Sequence, residues 1–122
     1  MPIVEIEIVG DVTQPLSGTL AQALADEAAR VFASPPANTW VRVRTLARES
    51  YAENAIAVAP SDLPVFATVL QRQPPERIAL AREMAALAQA IARTVGRPVA
   101  RVHIEYAPAA AGRMAFGGTL VE

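Results

Sequence analysis

The sequence predicts an α+β domain built from two tandem βαβ units. Three observations carry that expectation. Four short runs alternate apolar and polar residues with a period of two, the pattern of half-buried strands. Two longer segments between them repeat apolar residues every three to four positions, as amphipathic helices do. The second half also restates the element order of the first with an offset of 61 residues, so that Val41, Arg42, Val43 and Arg44 fall on Val102, His103, Ile104 and Glu105. A parallel βαβ crossover is right-handed. Two copies therefore give a four-stranded sheet with both helices on one face. The chain divides into repeat 1 (about 2–50), a linker (about 51–63) and repeat 2 (about 64–122), all one domain.

Each element has its own reason. PIVEIEIVG alternates branched residues with Glu5 and Glu7 and predicts a strand over about 2–9. Proline lacks a backbone N–H and is tolerated at a strand's first residue, so Pro2 fits there. DVTQPLSG breaks the strand. Leu16, Leu20, Leu24, Ala28, Val31 and Phe32 then mark a helix, with Thr13 or Ser17 as candidate N-caps. The prolines of SPPAN end it. TWVRVRTLA is a second strand, RESYAENAIAVAPSDLP a loop or short hairpin, and PVFATVLQ a third strand. In the second helix Leu80, Met84, Leu87, Ile91 and Val95 form one face, flanked by Ala81, Ala85, Ala88 and Ala92. A proline opens it, Glu76 lies in its first turn, and Gly96 is placed for the C-cap. VARVHIEYA is the fourth strand, and the tail GRMAFGGTLVE reads as short extended pieces around a Gly-Gly turn.

Composition narrows the function classes. The 122 residues are 52% hydrophobic but only 5% aromatic, so the core must be made of Ala, Val, Leu and Ile. No apolar run approaches the ~18 residues of a membrane span, and no secretory signal is visible. A cytoplasmic protein without membrane contact is expected. The absence of cysteine excludes thiol nucleophiles and thiolate metal sites. A net charge of −1 argues against a nucleic-acid partner. Every basic residue is arginine, so any anion site must use guanidinium groups.

Chemistry can be placed on few residues. Removal of Met1 would leave Pro2 as a free secondary amine, whose proton affinity an apolar pocket and a nearby cation both reduce. Such an amine can act as a general base. Arg42 and Arg44 point to the same strand face, and Arg72 follows the third strand. These arginines either grip a carboxylate bidentately or form a cross-strand ladder with Glu5, Glu7 and Glu105. His103 is the only histidine and shares a face with Glu105; one histidine is poor evidence for a metal. Tyr51, Tyr106 and Phe116 could wall an apolar pocket or simply fill the core. Glu53 and Asn54 fit turn chemistry as well as a site. No phosphate-binding loop, dinucleotide fingerprint or nucleophile elbow is present.

Pro2 opening a strand, two βαβ halves, Val-Arg-Val in strand two and Phe-Gly-Gly near the end together resemble the tautomerase superfamily, in its long, two-unit form typified by macrophage migration inhibitory factor and 5-carboxymethyl-2-hydroxymuconate isomerase. The resemblance implies a cofactor-free enzyme, a homotrimer and an N-terminal proline as catalytic base or acid, here Pro2. It implies that Arg42 in WVRVR and Arg72 in VLQRQPP bind substrate, and that His103 and Glu105 in RVHIEY reach a neighbour's pocket. It places Met114 and Phe116 among apolar pocket residues. The chain departs from the family at Ser34, where migration inhibitory factor has a lysine, and at Pro75, where the dehalogenase members have a second arginine. Their water-activating glutamate near the tail is also missing, so hydrolytic dehalogenation is not implied. The expected activity is keto–enol tautomerisation of a small anionic substrate, a 2-oxo or 2-hydroxy-enoate acid. A ferredoxin-like small-molecule-binding or assembly module, with an antiparallel sheet and no chemistry, fits the same element order and is the alternative.

Overall fold

Alternation along the first strand decides the architecture. In the computed structural model, which describes residues 1–122, strand β1 (Ile3–Gly10) buries Val4, Ile6 and Ile8 and leaves Ile3, Glu5 and Glu7 between them partly exposed. One face must therefore be covered and the other open. Helix α1 (Leu20–Phe32) and helix α2 (Arg77–Val95) supply the cover. Their Leu24, Ala28, Leu87, Ile91 and Ala92 form one core with Val4, Ile6, Ile8 and the alternate residues of the other strands. Small alanines among these contacts let the helices sit close to each other and to the sheet.

The sheet order is β2-β1-β3-β4, with β2 at Trp40–Ala47, β3 at Val65–Leu70 and β4 at Val102–Tyr106. β1 pairs in parallel with β2, and β3 in parallel with β4; β1 and β3 join antiparallel in the middle. The parallel pairs within each unit exclude the ferredoxin-like alternative, whose sheet is antiparallel. Register makes the internal repeat explicit. Ile3 lies beside Trp40 and Val65 beside Val102, 37 positions apart in both halves. Ile6 and Ala67, related by the 61-residue offset, lie directly opposite each other at the centre of the sheet. They sit on the local two-fold axis, where a large and a small side chain share a space that two large ones would overfill.

Several details differ from expectation. α1 begins at Leu20 with Thr19 as N-cap, so neither Thr13 nor Ser17 caps it and Leu16 lies outside. Thr13 is held by Asp11, whose Oδ1 accepts both its hydroxyl and its N–H. Gly18 is a poor helix former, which delays the start. In α2 the burial concentrates in the second half, at Leu87, Ala90, Ile91 and Ala92, while Ala81 and Ala85 face outward. Glu76 is the N-cap rather than a first-turn residue and makes no side-chain cap bond. Gly96 does end the helix, at φ 80°, a conformation glycine adopts without penalty.

The open face carries a cross-strand ladder. Arg42 pairs with Glu5, and Arg44 lies 3.2 Å from Glu7 and 3.7 Å from Glu5. Toward β4 the face turns aromatic: the Tyr51 and Phe66 rings lie 6.0 Å apart, and Phe66 and His103 5.5 Å. The linker is pinned beside them. The Tyr51 hydroxyl donates to Glu53 at 2.5 Å, and Arg101 at the entry to β4 pairs with the same carboxylate. The tail forms a two-stranded hairpin, β5 (Ala115–Phe116) and β6 (Thr119–Leu120), around Gly117 and Gly118, both at positive φ.

Two predictions follow from burial and charge. Ile6→Ala should cost about 2–5 kcal/mol, whereas exposed Ile78→Ala should stay within about 0.5 kcal/mol, both read from urea midpoints. Equal losses would contradict the assignment of faces. The Tyr51 hydroxyl, and then Arg101, hold the Glu53 carboxyl below its ordinary value of 4.5. Its stabilisation is therefore complete above pH 4.5 and is lost as pH falls through the lowered folded value. Glu53→Gln should reduce stability at pH 7 and converge with wild type in strong acid; parallel curves across pH would refute this.

Candidate functional site

The antiparallel pairing of β1 and β3 brings the start of one to the end of the other. Ile3 lies opposite Leu70, and continuing that register puts Pro2 opposite Gln71. A pocket of about 310 Å³ opens there. It is lined by Met1 and Pro2, by the end of α1 and its turn at residues 32–35, and by Gln71, Arg72 and Gln73 of the β3–α2 connection. Pro2 itself is buried, and its carbonyl accepts the Trp40 N–H at 3.0 Å. Proline thus starts β1 without a ladder donor, as its chemistry requires, while its carbonyl still joins the sheet. Ala33 closes α1 in the left-handed region, φ 51°, and turns the chain across the pocket mouth.

Arg72 is the cation of this pocket. Its Nε donates to the backbone oxygen of Glu122, which ties the tail to the site. The tail is also held by N–H groups of Ala110 and Ala111, which donate to the carbonyls of Gln71 and Arg72 at 2.8 and 3.1 Å. Phe116 of the hairpin packs on Trp40, ring centroids 4.5 Å apart. The tail therefore bridges from the β3 exit to the residue hydrogen-bonded to Pro2.

A second layer lies behind Gln71. Its Nε2 donates to Glu83 Oε2 at 3.2 Å, and the Tyr106 hydroxyl donates to the same oxygen at 2.6 Å. Burial first, and then Glu83, push the Tyr106 phenol well above its usual range, so it stays a donor. The Gln71 Oε1 is buried and meets no donor of the chain. A larger hollow of about 630 Å³ runs along the outer side of α1 and shares residues 33–35 with the pocket. Its charged groups, Asp26 and Arg30, bond to neighbours on α1. The Pro2 pocket instead brings Pro2, Arg72 and Gln71 to one place.

Within one chain, then, the structure brings Arg72 to Pro2 and sets Phe116 one residue away through Trp40. It does not bring Arg42, His103 or Glu105 there. Arg42 lies on the open face in its pair with Glu5. His103 and Glu105 line a recess of about 290 Å³ on that face with Phe66 and Thr68. Met114 lines a separate apolar recess of about 260 Å³ beneath the tail, near Leu70. Tyr51, Glu53 and Asn54 belong to the linker. Sequence reading missed Gln71 and Glu83, because nothing local to either residue marks them; only the central strand register does.

No protein-family model and no curated protein matches the chain. Solved structures do match over nearly its full length. One is a macrophage migration inhibitory factor from Oncomelania hupensis, 16% identical, covering 100% of this chain and 83% of its own, with a TM-score of 0.75. Another is a protein called Pt0534, inactivated by 2-oxo-3-pentynoate, 18% identical over 98% of this chain and 95% of its own, TM-score 0.74. A third is a fused 4-OT described as a wild-type symmetric trimer, 16% identical over 98% and 94%, TM-score 0.73. With the paired βαβ units, the central antiparallel register and the strand-opening proline, these similarities show that the chain has the fold of the tautomerase superfamily.

Proposed function

We propose that the protein is a cofactor-independent tautomerase acting on a small 2-oxo or 2-hydroxy-enoate acid. The observation that carries this reading is Pro2 buried in a pocket whose cation is Arg72. Once Met1 is removed, the Pro2 nitrogen becomes a secondary amine. The neighbouring guanidinium and the partly apolar surroundings disfavour its protonated form, leaving a base poised near neutral pH. Pro2 takes a proton from the enol hydroxyl or α-carbon and returns it at the other position. Arg72 holds the substrate carboxylate and offsets negative charge as the enolate develops. The pocket volume suits a ligand of this size, and inactivation of Pt0534 by a 2-oxo alkynoate agrees with that substrate class.

The assembly is a homotrimer in this reading, as the fused 4-OT structure is described. The open sheet face then meets neighbouring copies. His103 and Glu105 extend a neighbour's pocket, Phe116 closes its apolar side, and Arg42 adds a second guanidinium from the ladder. No helix is long and apolar enough to cross a membrane; we assign the protein to the cytoplasm.

The test is enol–keto conversion of phenylpyruvate by protein whose intact mass shows the loss of Met1. Pro2→Ala should lower kcat/KM by about 10²-fold or more, and equal rates would remove Pro2 from the mechanism. Arg72→Ala should lower kcat/KM by about 10–100-fold, chiefly through KM if it binds the carboxylate in ground and transition states alike. An unchanged KM and kcat would assign Arg72 to anchoring the tail alone.

A further inference from the structure

We propose that Gln71 is the positioning residue of this site, its side-chain oxygen accepting a hydrogen bond from the freed Pro2 nitrogen while Glu83 and Tyr106 hold the amide in place. The inference rests on the reading of Pro2 as the base.

Its first support is register. Val4 lies opposite Val69 and Ile3 opposite Leu70, so Pro2 comes opposite Gln71. Residues directly opposite on antiparallel strands point to the same face, with Cβ atoms about 4.5–5.5 Å apart. Pro2 and Gln71 share the helix-covered face with Val4 and Val69, and both line the same pocket.

The second support is the orientation of the amide. A carboxylate only accepts hydrogen bonds. Because Glu83 Oε2 receives Gln71 Nε2 and the Tyr106 hydroxyl, the Gln71 NH₂ must face α2. A flipped amide would set oxygen against oxygen. Oε1 is therefore directed away from Glu83, and it is buried with no donor from the chain. A buried acceptor left in that state is the exception in folded proteins and calls for an explanation.

Processing of the N-terminus supplies one. In a Met1–Pro2 peptide bond the proline nitrogen carries no hydrogen and cannot donate. After cleavage it carries one hydrogen when neutral and two when protonated. The same event that creates the base thus creates the donor that Gln71 lacks. With one N–H spent on Oε1, the lone pair of neutral Pro2 is turned toward the pocket. The bond also favours the protonated form, opposing Arg72. The other charged groups near Pro2 are few. Glu83 of α2 lies behind the amide with the Tyr106 hydroxyl of β4, Glu122 comes from the tail, and the turn at residues 32–35 contributes no titratable side chain.

The experiment is an NMR titration of ¹⁵N-proline-labelled, Met1-free protein, following the Pro2 nitrogen directly. Gln71→Met should lower its titration midpoint by about one pH unit, about tenfold in proton affinity, and shift the acid limb of kcat/KM with it. Arg72→Ala should move the midpoint upward. If Gln71→Met does not fold, Gln71→Leu is read in the same way. A midpoint that stays in place or rises on losing the amide overturns the proposal, as does a rate that falls equally at all pH values with its acid limb unmoved. A chain that retains Met1 has no titrating nitrogen and overturns both readings. Processed protein that is inactive on phenylpyruvate sinks the tautomerase reading on that substrate, yet its Pro2 midpoint still decides the role of Gln71.

Discussion

The register between β1 and β3 governs this molecule. Ile6 opposite Ala67 is the fixed point. Moving outward from it in one direction sets Val4 beside Val69 and then Pro2 beside Gln71. Moving the other way sets Ile8 beside Val65. A slip of one residue would turn Val4, Ile6 and Ile8 away from the helices and expose the core. It would also part Pro2 from Gln71 and Arg72. The burial that holds the fold together and the geometry that assembles the pocket are therefore one constraint, so the pocket needs no separate scaffold.

The two halves are alike in backbone and opposite in use. By the 61-residue offset the counterpart of Pro2 is Leu63. The Pro2 carbonyl takes the Trp40 N–H, whereas the Leu63 carbonyl takes Arg97 Nη1 at 2.6 Å. The same guanidinium gives Nη2 to the Val9 carbonyl at 2.9 Å. Burial lowers the proton affinity of Arg97, but a guanidinium starts so high that it remains charged. The second corner of the sheet is thus stapled by an arginine. The first corner holds Pro2 and the pocket beside Arg72. A symmetric fold thus yields an asymmetric molecule, with a proline at one corner and an arginine staple at the other.

What the sequence disclosed was what local periodicity encodes. Strands, helices, the Gly-Gly hairpin and the repeat all follow from spacing along the chain, and Pro2 and Arg72 stand out by residue type and place. The start of α1 was harder, because Asp11 captures the threonine that could have capped it. The outward turn of Ala81 and Ala85 was hidden because alanine fits a buried and an exposed face equally well. By sequence Arg42 fits a ladder as well as a site, and only the pairing of Glu5 with Arg42 across β1 and β2 shows the ladder in a single chain. Gln71 and Glu83 could not be found at all. Their significance is a meeting of residues twelve positions apart on different elements, which no period reports.

The open face carries an argument of its own. Exposed ion pairs such as Arg42–Glu5 and Arg44–Glu7 add little to the stability of one chain. Their effect lies in what happens when the face is covered. A charge buried without a partner is costly, and on the β1–β2 half every charge is already paired within the chain. That half can meet another copy without leaving an orphaned ion. The β3–β4 half differs, since Glu105 has no ion-pair partner and His103 touches only the Phe66 ring among its aromatic neighbours. In the trimer proposed above, Glu105 and His103 are therefore the β4 groups without an ion-pair partner, and Arg42 keeps donors beyond its bond to Glu5. In that reading the ladder meets a neighbouring copy without an orphaned ion, and Glu105 and His103 act across the boundary beside Arg42.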